Sequence, residues 1–535
     1  MTTQNTSQPN GRLAQLGDLA YRRRGRMVVA WIVTLAAVLV IVPRIAGEFN
    51  VEFSTPGTES QAAADLLEAH FPGNSGDSVN VVWEAPAGAR AAQARVDRFL
   101  ADAERLEDIG AASQPRYSRD GTIGLTQLEL EERGFQANTD SGKRLIDLAE
   151  DASGDGLRIE LGGSLIQLAQ EQAAPEMVGL IGAAIVLLIA FGSVVAAGLP
   201  LLVAIFGLGI SATLIGILAR FVDTPEFAPA VAGLIGIGVG IDYSLLILTR
   251  FRTALIGGAD VRDALVEAMT TAGRSVIVAG LTVVISMFGL VFMGVSFLYG
   301  VALSASLAVL VVVAASLTLL PALLAFAGRR VDRLHIPGLG RSLRTGGGTL
   351  ATRWSHVVQR RAALAAVMGA VVLIALTAPV LGLRYGFPDE GNDPEGSSTR
   401  AAYEMVSRGF GPGASGPLLV VAEDPAALDG FAEQARDEAD VAFVSPPRSS
   451  PDGQAALLTV VAQASPQDSA MADLVRRLRD EAGQGVYVGG LSAVFVDQSD
   501  YVADRIPVFI GGVVVLSFLL LLFAFRAPLI ALKAG

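Results

Sequence analysis

The sequence contains no cysteine in 535 residues, which excludes disulfides, thiolate metal sites and cysteine nucleophiles. Histidine is nearly absent: His70, His335 and His356 are scattered, with no metal-ligand spacing between them. Charge is scarce, at 17% of residues against about 25% in an average soluble protein. Of 40 basic residues only Lys143 and Lys533 are lysines, a bias that fits a GC-rich bacterial genome. No phosphate-cradling loop and no nucleophile motif occurs. No enzyme activity, cofactor, metal, nucleotide or nucleic-acid partner is expected.

What the chain does have is long apolar runs. It is 52% hydrophobic, with mean hydropathy +0.50, and several runs are long enough to span a bilayer. Residues 1–26 read as a cytoplasmic tail, weakly periodic and ending in Arg22-Arg23-Arg24-Gly25-Arg26. Residues 27–46 read as an uncleaved first span. Residues 47–176 are acidic, 24 acids against 10 basic residues. Alternating runs such as Ser78–Trp83 mark strands there, separated by amphipathic helical stretches, and the pattern predicts an α/β domain outside the membrane.

Residues 177–327 hold five further spans, with an amphipathic surface helix expected near 258–273. Residues 328–361 form an Arg-rich loop with eight arginines and one acid, Asp332. A seventh span covers 362–383. Residues 384–506 form a second acidic α/β domain, with 20 acids and nine basic residues, and an eighth span lies within 507–535. The basic clusters fall on one side of these spans and both acidic domains on the other. The positive-inside rule therefore predicts a cytoplasmic N-terminus and outward-facing domains.

The chain repeats itself. Arg23-Arg24 before a span ending at Pro43 resembles Arg360-Arg361 before one ending at Pro379. Glu59–Gly73 resembles Ser398–Gly413, and Leu187–Phe191 resembles Leu521–Phe525. Three matches in the same order at nearly one offset predict a duplicated unit of one span, a domain and five spans. The chain then reads as one full repeat and the start of a second, truncated before its end. The counterpart of Asp242 falls at about position ~576.

Asp242 is the feature the rest surrounds. It lies in the apolar stretch Pro229–Arg250, followed at once by Tyr243. A carboxylate inside hydrocarbon costs roughly 2.5–3.5 kcal/mol on insertion scales and is normally kept for function. A proton carrier in lipid needs a group that alternates between charged and neutral forms, and a carboxyl can do so when a partner moves. Tyr243 offers a hydroxyl for the relay or, alternatively, an aromatic packing surface. Thr282 and Ser286 lie one turn apart in the next span, placed to support the relay or to bond their own helix backbone. Gly236, Gly238 and Gly240 are read as close-packing positions. Arg250, Arg252 and Arg274 are read as interface anchors. Asp389, Glu390, Asp393 and Glu395 lack the spacing of an EF-hand calcium loop.

Gly236-Ile-Gly-Val-Gly240-Ile-Asp242-Tyr243, followed by Arg250-Phe-Arg252, together with the topology and the repeat, resembles the MMPL family of the resistance-nodulation-division superfamily. The resemblance implies a polytopic α-helical membrane protein with about 8 of an expected 12 spans and two extracytoplasmic α/β porter-like domains. It implies a proton-driven exporter of lipids or hydrophobic compounds in the bacterial inner membrane, with membrane lipids and second-half helices packed on the fourth span as partners. The proton gradient stands in place of a cofactor. Two other readings are an accessory of protein export and a non-transporting lipid sensor or scaffold.

Overall fold

The computed structural model describes residues 11–47, 49, 57–71, 78–130, 139–170, 175–334, 350–382, 386 and 388–525. The middle of the Arg-rich loop, including His335, Arg341 and Arg344, lies outside the described residues, as does Lys533. The chain forms two compact units. One comprises Met1–Phe49, Ala173–Arg384 and Pro507–Gly535; the other comprises Asn50–Gln172 and Tyr385–Ile506.

In chain order the helices are α1 (Arg12–Arg22), α2 (Arg24–Ile41), α3 (Glu59–His70), α4 (Gln93–Ala103), α5 (Thr139–Ala152), α6 (Ser164–Ala169), α7 (Pro175–Phe191), α8 (Val194–Leu218) and α9 (Ala228–Ile256). They continue with α10 (Val261–Phe288), α11 (Ser296–Ala327), α12 (Leu350–Arg360), α13 (Ala362–Thr377), α14 (Ser398–Phe410), α15 (Pro425–Asp437), α16 (Ser469–Glu481) and α17 (Leu491–Phe525). The strands are β1 (Ser78–Glu84), β2 (Ile109–Ala112), β3 (Arg116–Tyr117), β4 (Ile123–Leu130), β5 (Arg158–Gly162), β6 (Leu418–Ala422), β7 (Val441–Val444), β8 (Arg448–Ser449), β9 (Ala456–Ala462) and β10 (Val486–Gly489).

Among the described residues, seven helical stretches are long and apolar enough to cross a membrane, and an eighth, Met177–Phe191, is shorter. The chain is a multi-pass α-helical membrane protein. In lipid every backbone N–H and C=O must be satisfied within the segment, so these runs become helices despite their glycines. α8, α9, α10 and α11 pack together. The buried face of α11 is built largely of small residues, including Ala302, Ala305, Ala308 and Ala315, which lets backbones approach closely. α2 lays Met27, Val28 and Trp31 against this core, with Trp31 Nε1 donating to Thr318 Oγ1 at 3.0 Å, whereas α13 buries none of its described side chains.

Two expectations for this unit are corrected. The first is the N-terminal tail. It is a helix from Arg12, with Ala14, Gly17 and Ala20 buried at a spacing of three. An added Cβ on Gly17 would lie 3.2 Å from Met269 Cγ, and Asp18 accepts from Arg262 Nε at 2.6 Å. Leu13 and Leu16 pack on the same core as Ala20, so the face follows helical spacing although the stretch is polar overall. The second is the surface helix near 258–273. Those residues are instead the first half of α10, which runs unbroken to Phe288. Its apolar face, Leu265, Ala268, Met269 and Ala272, is fully or nearly buried by protein rather than by lipid headgroups.

The second unit contains two antiparallel sheets of the same design. The strand orders are β2-β4-β1-β5, with β3 on β4, and β7-β9-β6-β10, with β8 on β9. In β1, Val79, Val81 and Trp83 point to one face and Val82 to the other, as period-two alternation requires. The first face packs on α4 and α5 through Val96, Phe99 and Leu145.

The opposite faces are covered by exchange. α14, from the second half of the sequence, lays Ala402, Met405 and Val406 on Val82, Ile123 and Leu125. α3, from the first half, lays Ala63, Leu67 and Phe71 on Val421, Ala455 and Leu457. These two helices are the segments whose sequences resemble each other. Burying each large apolar side chain contributes roughly 1.5–3 kcal/mol, so neither sheet is complete without the other half's helix. α17 is continuous across the boundary between the units: it begins at Leu491, carries Pro507 inside it, and Pro507 is where the first unit resumes.

Candidate functional site

α9 opens with Pro229 in its first turn, a position that tolerates a missing N–H. Farther along, its glycines set the packing. A Cβ on Gly240 would meet Val312 Cγ1 at 2.7 Å and Ala204 Cα at 3.6 Å. One on Gly236 would meet Ala308 at 3.6 Å. Gly238 differs from the expectation for it: among the described residues nothing lies within 4 Å of its Cβ position. It is on the other side of the helix, where Leu234, Gly238, Asp242, Leu246 and Arg250 form an exposed stripe at intervals of four.

Asp242 is therefore exposed on the outer face of this helix cluster, and among the described residues no hydrogen bond or ion pair engages its carboxylate. Tyr243, about 100° around the helix, is only 4% exposed and belongs to the main core. Its ring edge lies 3.6 Å from the Cβ position of Gly280 in α10. Thr282 Oγ1 donates to Val278 O at 2.9 Å, the backbone bond named as its alternative. Ser286 is half-buried on the same helix.

Several residues near this helix escaped sequence reasoning. Ser244 and Ser316 are fully buried, with hydroxyls 3.5 Å apart between α9 and α11. Serines are common in such helices, so no signal singled these out. Arg252 was expected at the membrane interface and is instead buried. It pairs with Asp332 at 2.5 Å and lies 5.2 Å from the Phe191 ring centroid. Its position two residues after Arg250 turns it toward the protein interior. Ser193 Oγ donates nearby to Val331 O or Arg333 O, at 2.9 and 2.8 Å. Together these contacts hold the start of the Arg-rich loop.

The second unit contains a cleft of about 810 Å³, within the usual range of ligand pockets. Its lining combines Leu125, Val406, Phe410, Phe443 and Val461 with Arg90, Arg116, Arg119 and Glu390. Glu390 accepts from the Gly163 N–H. Burial pushes its carboxyl up to about 7, against that hydrogen bond and with help from Asp393 and Asp389. Two other acids of this segment are engaged as well. Asp389 accepts from Gly391 N at 2.9 Å, and Asp393 accepts from Gln167 at 2.9 Å and Thr399 at 2.5 Å.

The MMPL family matches residues 52–366 and 418–533. The chain is 33% identical to membrane protein YdfJ of Bacillus subtilis, over 98% of this chain and 74% of that protein. It is 28% identical to the mycolic acid-containing lipids exporter MmpL11 of Mycolicibacterium smegmatis, over 94% of this chain and 57% of that protein. It is likewise 28% identical to the heme uptake protein MmpL11 of Mycobacterium tuberculosis, over 96% of this chain and 57% of that protein. The chain thus spans little more than half the length of either MmpL11. It belongs to the MMPL family of the resistance-nodulation-division superfamily of membrane transporters.

Proposed function

We propose that the chain belongs to a proton-driven exporter of lipids or other hydrophobic compounds across the bacterial inner membrane, with a cytoplasmic N-terminus. Asp242 and Tyr243 form half of its proton relay, with Thr282 and Ser286 in support. The observation that carries this reading is the position of Asp242. It is the one acid in a membrane helix of 29 residues, unpaired among the described residues and on an exposed stripe. An intramembrane carboxylate is costly and is kept where it works. The open stripe leaves room for a second-half helix against α9. The lipid named for one MmpL11 relative supports a hydrophobic cargo, and the apolar walls of the cleft supply room for one.

Replacing Asp242 with Asn removes the titrating group and keeps the shape. In cells carrying the protein, Asp242→Asn is expected to lower export of the hydrophobic cargo at least tenfold at equal protein level, while Asp242→Glu retains part of it. Undiminished export by Asp242→Asn would sink the relay.

A further inference from the structure

The first α/β domain carries only 10 basic residues among 24 acids, yet three of the ten line one cleft. Arg90, Arg116 and Arg119 make no ion pair among the described residues. The nearest acid in sequence, Asp120, is occupied: it accepts from Ser118 Oγ at 2.5 Å and from Thr122 N and Oγ1 at 3.1 and 2.8 Å. Arg90 lies 4.7 Å from the Tyr117 ring centroid. Tyr117 is itself fixed by its hydroxyl donating to Gln93 at 2.6 Å and by edge contact with Trp83. The guanidinium is thus held on a rigid platform. Glu390, the cleft's single carboxylate, is turned to the Gly163 N–H and burial favours its neutral form.

Beside these arginines the walls are apolar, with Val406, Phe410 and the exposed Phe443. Planar guanidinium forks suit carboxylate and phosphate oxygens, and the apolar wall suits a hydrocarbon tail. From this juxtaposition we infer that the cleft selects an anionic amphiphile, its acidic head on Arg90, Arg116 and Arg119 and its tail along Val406, Phe410 and Phe443. The inference deepens the transport reading and rests on it only for calling the ligand a cargo.

The test uses the full chain in phosphatidylcholine nanodiscs, with empty discs subtracted. The probes are 11-(dansylamino)undecanoic acid, its methyl ester, and a phosphate-headed lipid of the same tail length to separate carboxylate from phosphate. The unsubstituted chain is expected to bind an acidic probe about tenfold more tightly than the ester. High salt should erode that advantage. The triple variant R90Q/R116Q/R119Q should bring acid affinity down to that of the ester and leave the ester unchanged, and R90K/R116K/R119K should keep part of the preference.

Equal binding of acids and ester by the unsubstituted chain overturns the inference, as does undiminished acid binding in the Gln variant. If the Gln variant loses the ester too, the Lys variant decides: retained acid preference supports the site and its absence overturns it. Acid preference in a protein whose Asp242→Asn variant still exports would sink the relay and leave this site standing.

Discussion

The two seams of the sheet-containing unit share a geometry and differ in how they handle charge. In each, the edge strand ends in a glycine pair, and the residue before the pair donates its N–H to the first side chain of the exchanged helix. Leu161 N–H reaches Ser398 Oγ at 2.8 Å, and Val488 N–H reaches Glu59 Oε1 at 2.8 Å. The second glycine of each pair has positive φ, +116° at Gly163 and +89° at Gly490. A Cβ there would also approach a backbone oxygen to 2.7 and 2.8 Å, respectively.

Around Val488 the carboxylates meet a cation. Arg479 pairs with Asp497 at 2.5 Å and with Glu59 at 3.5 Å. At the first seam Glu160, which accepts from Ser398 Oγ at 2.6 Å, pairs with Arg158 at 2.8 Å, whereas Glu390 beside Gly163 meets no cation among the described residues and burial favours its neutral form. Duplication preserved the backbone contact and left the neutralising group free to diverge.

The comparison predicts a graded set of effects. Arg479→Ala leaves Asp497 and Glu59 without their cation, and breaking such a largely buried cluster costs about 3–5 kcal/mol. Hydrogen exchange at the β10 amides should accelerate while β5 stays protected; equal exposure of both strands would mean the seams are not independent.

The second effect depends on pH. Burial raises the Glu390 carboxyl from 4.5 to about 7. Between those values the folded chain holds a proton that the unfolded chain has released. Stability therefore falls as pH rises from about 4.5 to about 7, by about 2–3 kcal/mol, and levels off above. Glu390→Gln should flatten this slope in thermal unfolding, and an unchanged slope would show that another group supplies it.

Next in size, Ser398→Ala leaves the Leu161 N–H unpaired, at a cost of about 1–3 kcal/mol, read as faster exchange in β5. The smallest effect is expected at Arg408, whose paired contacts to Glu84, both at 3.1 Å, are solvent-exposed. Arg408→Ala should shift stability by no more than about 1 kcal/mol.

Much of this architecture was legible in the sequence. The spans follow from long apolar runs, and the paired domains from acidic segments of alternating pattern. The repeat linking Glu59–Gly73 to Ser398–Gly413 pointed to the two helices that turned out to be exchanged. The exchange itself was not legible, because Leu67 meets Val421 across more than 350 residues. The fate of charged residues at helix ends was hidden too. Arg250 and Arg252 look alike in sequence, and only the rotation of α9 separates an exposed arginine from one paired with Asp332. At the candidate site, the carboxylate and its helix were readable, whereas the exposure of Gly238 and the buried Ser244–Ser316 contact needed the packing of α8, α10 and α11.

The exchanged helices also bear on how the chain is made. α3 leaves the ribosome with Ala63, Leu67 and Phe71 ready to pack, but β6 and β9, which cover them, follow roughly 350 residues later. At typical synthesis rates that is a delay of roughly 20–70 s. Through that interval the first sheet lacks α14 and α3 lacks its sheet. The nascent first half therefore carries two uncovered apolar faces at once, and neither half matures before the other arrives.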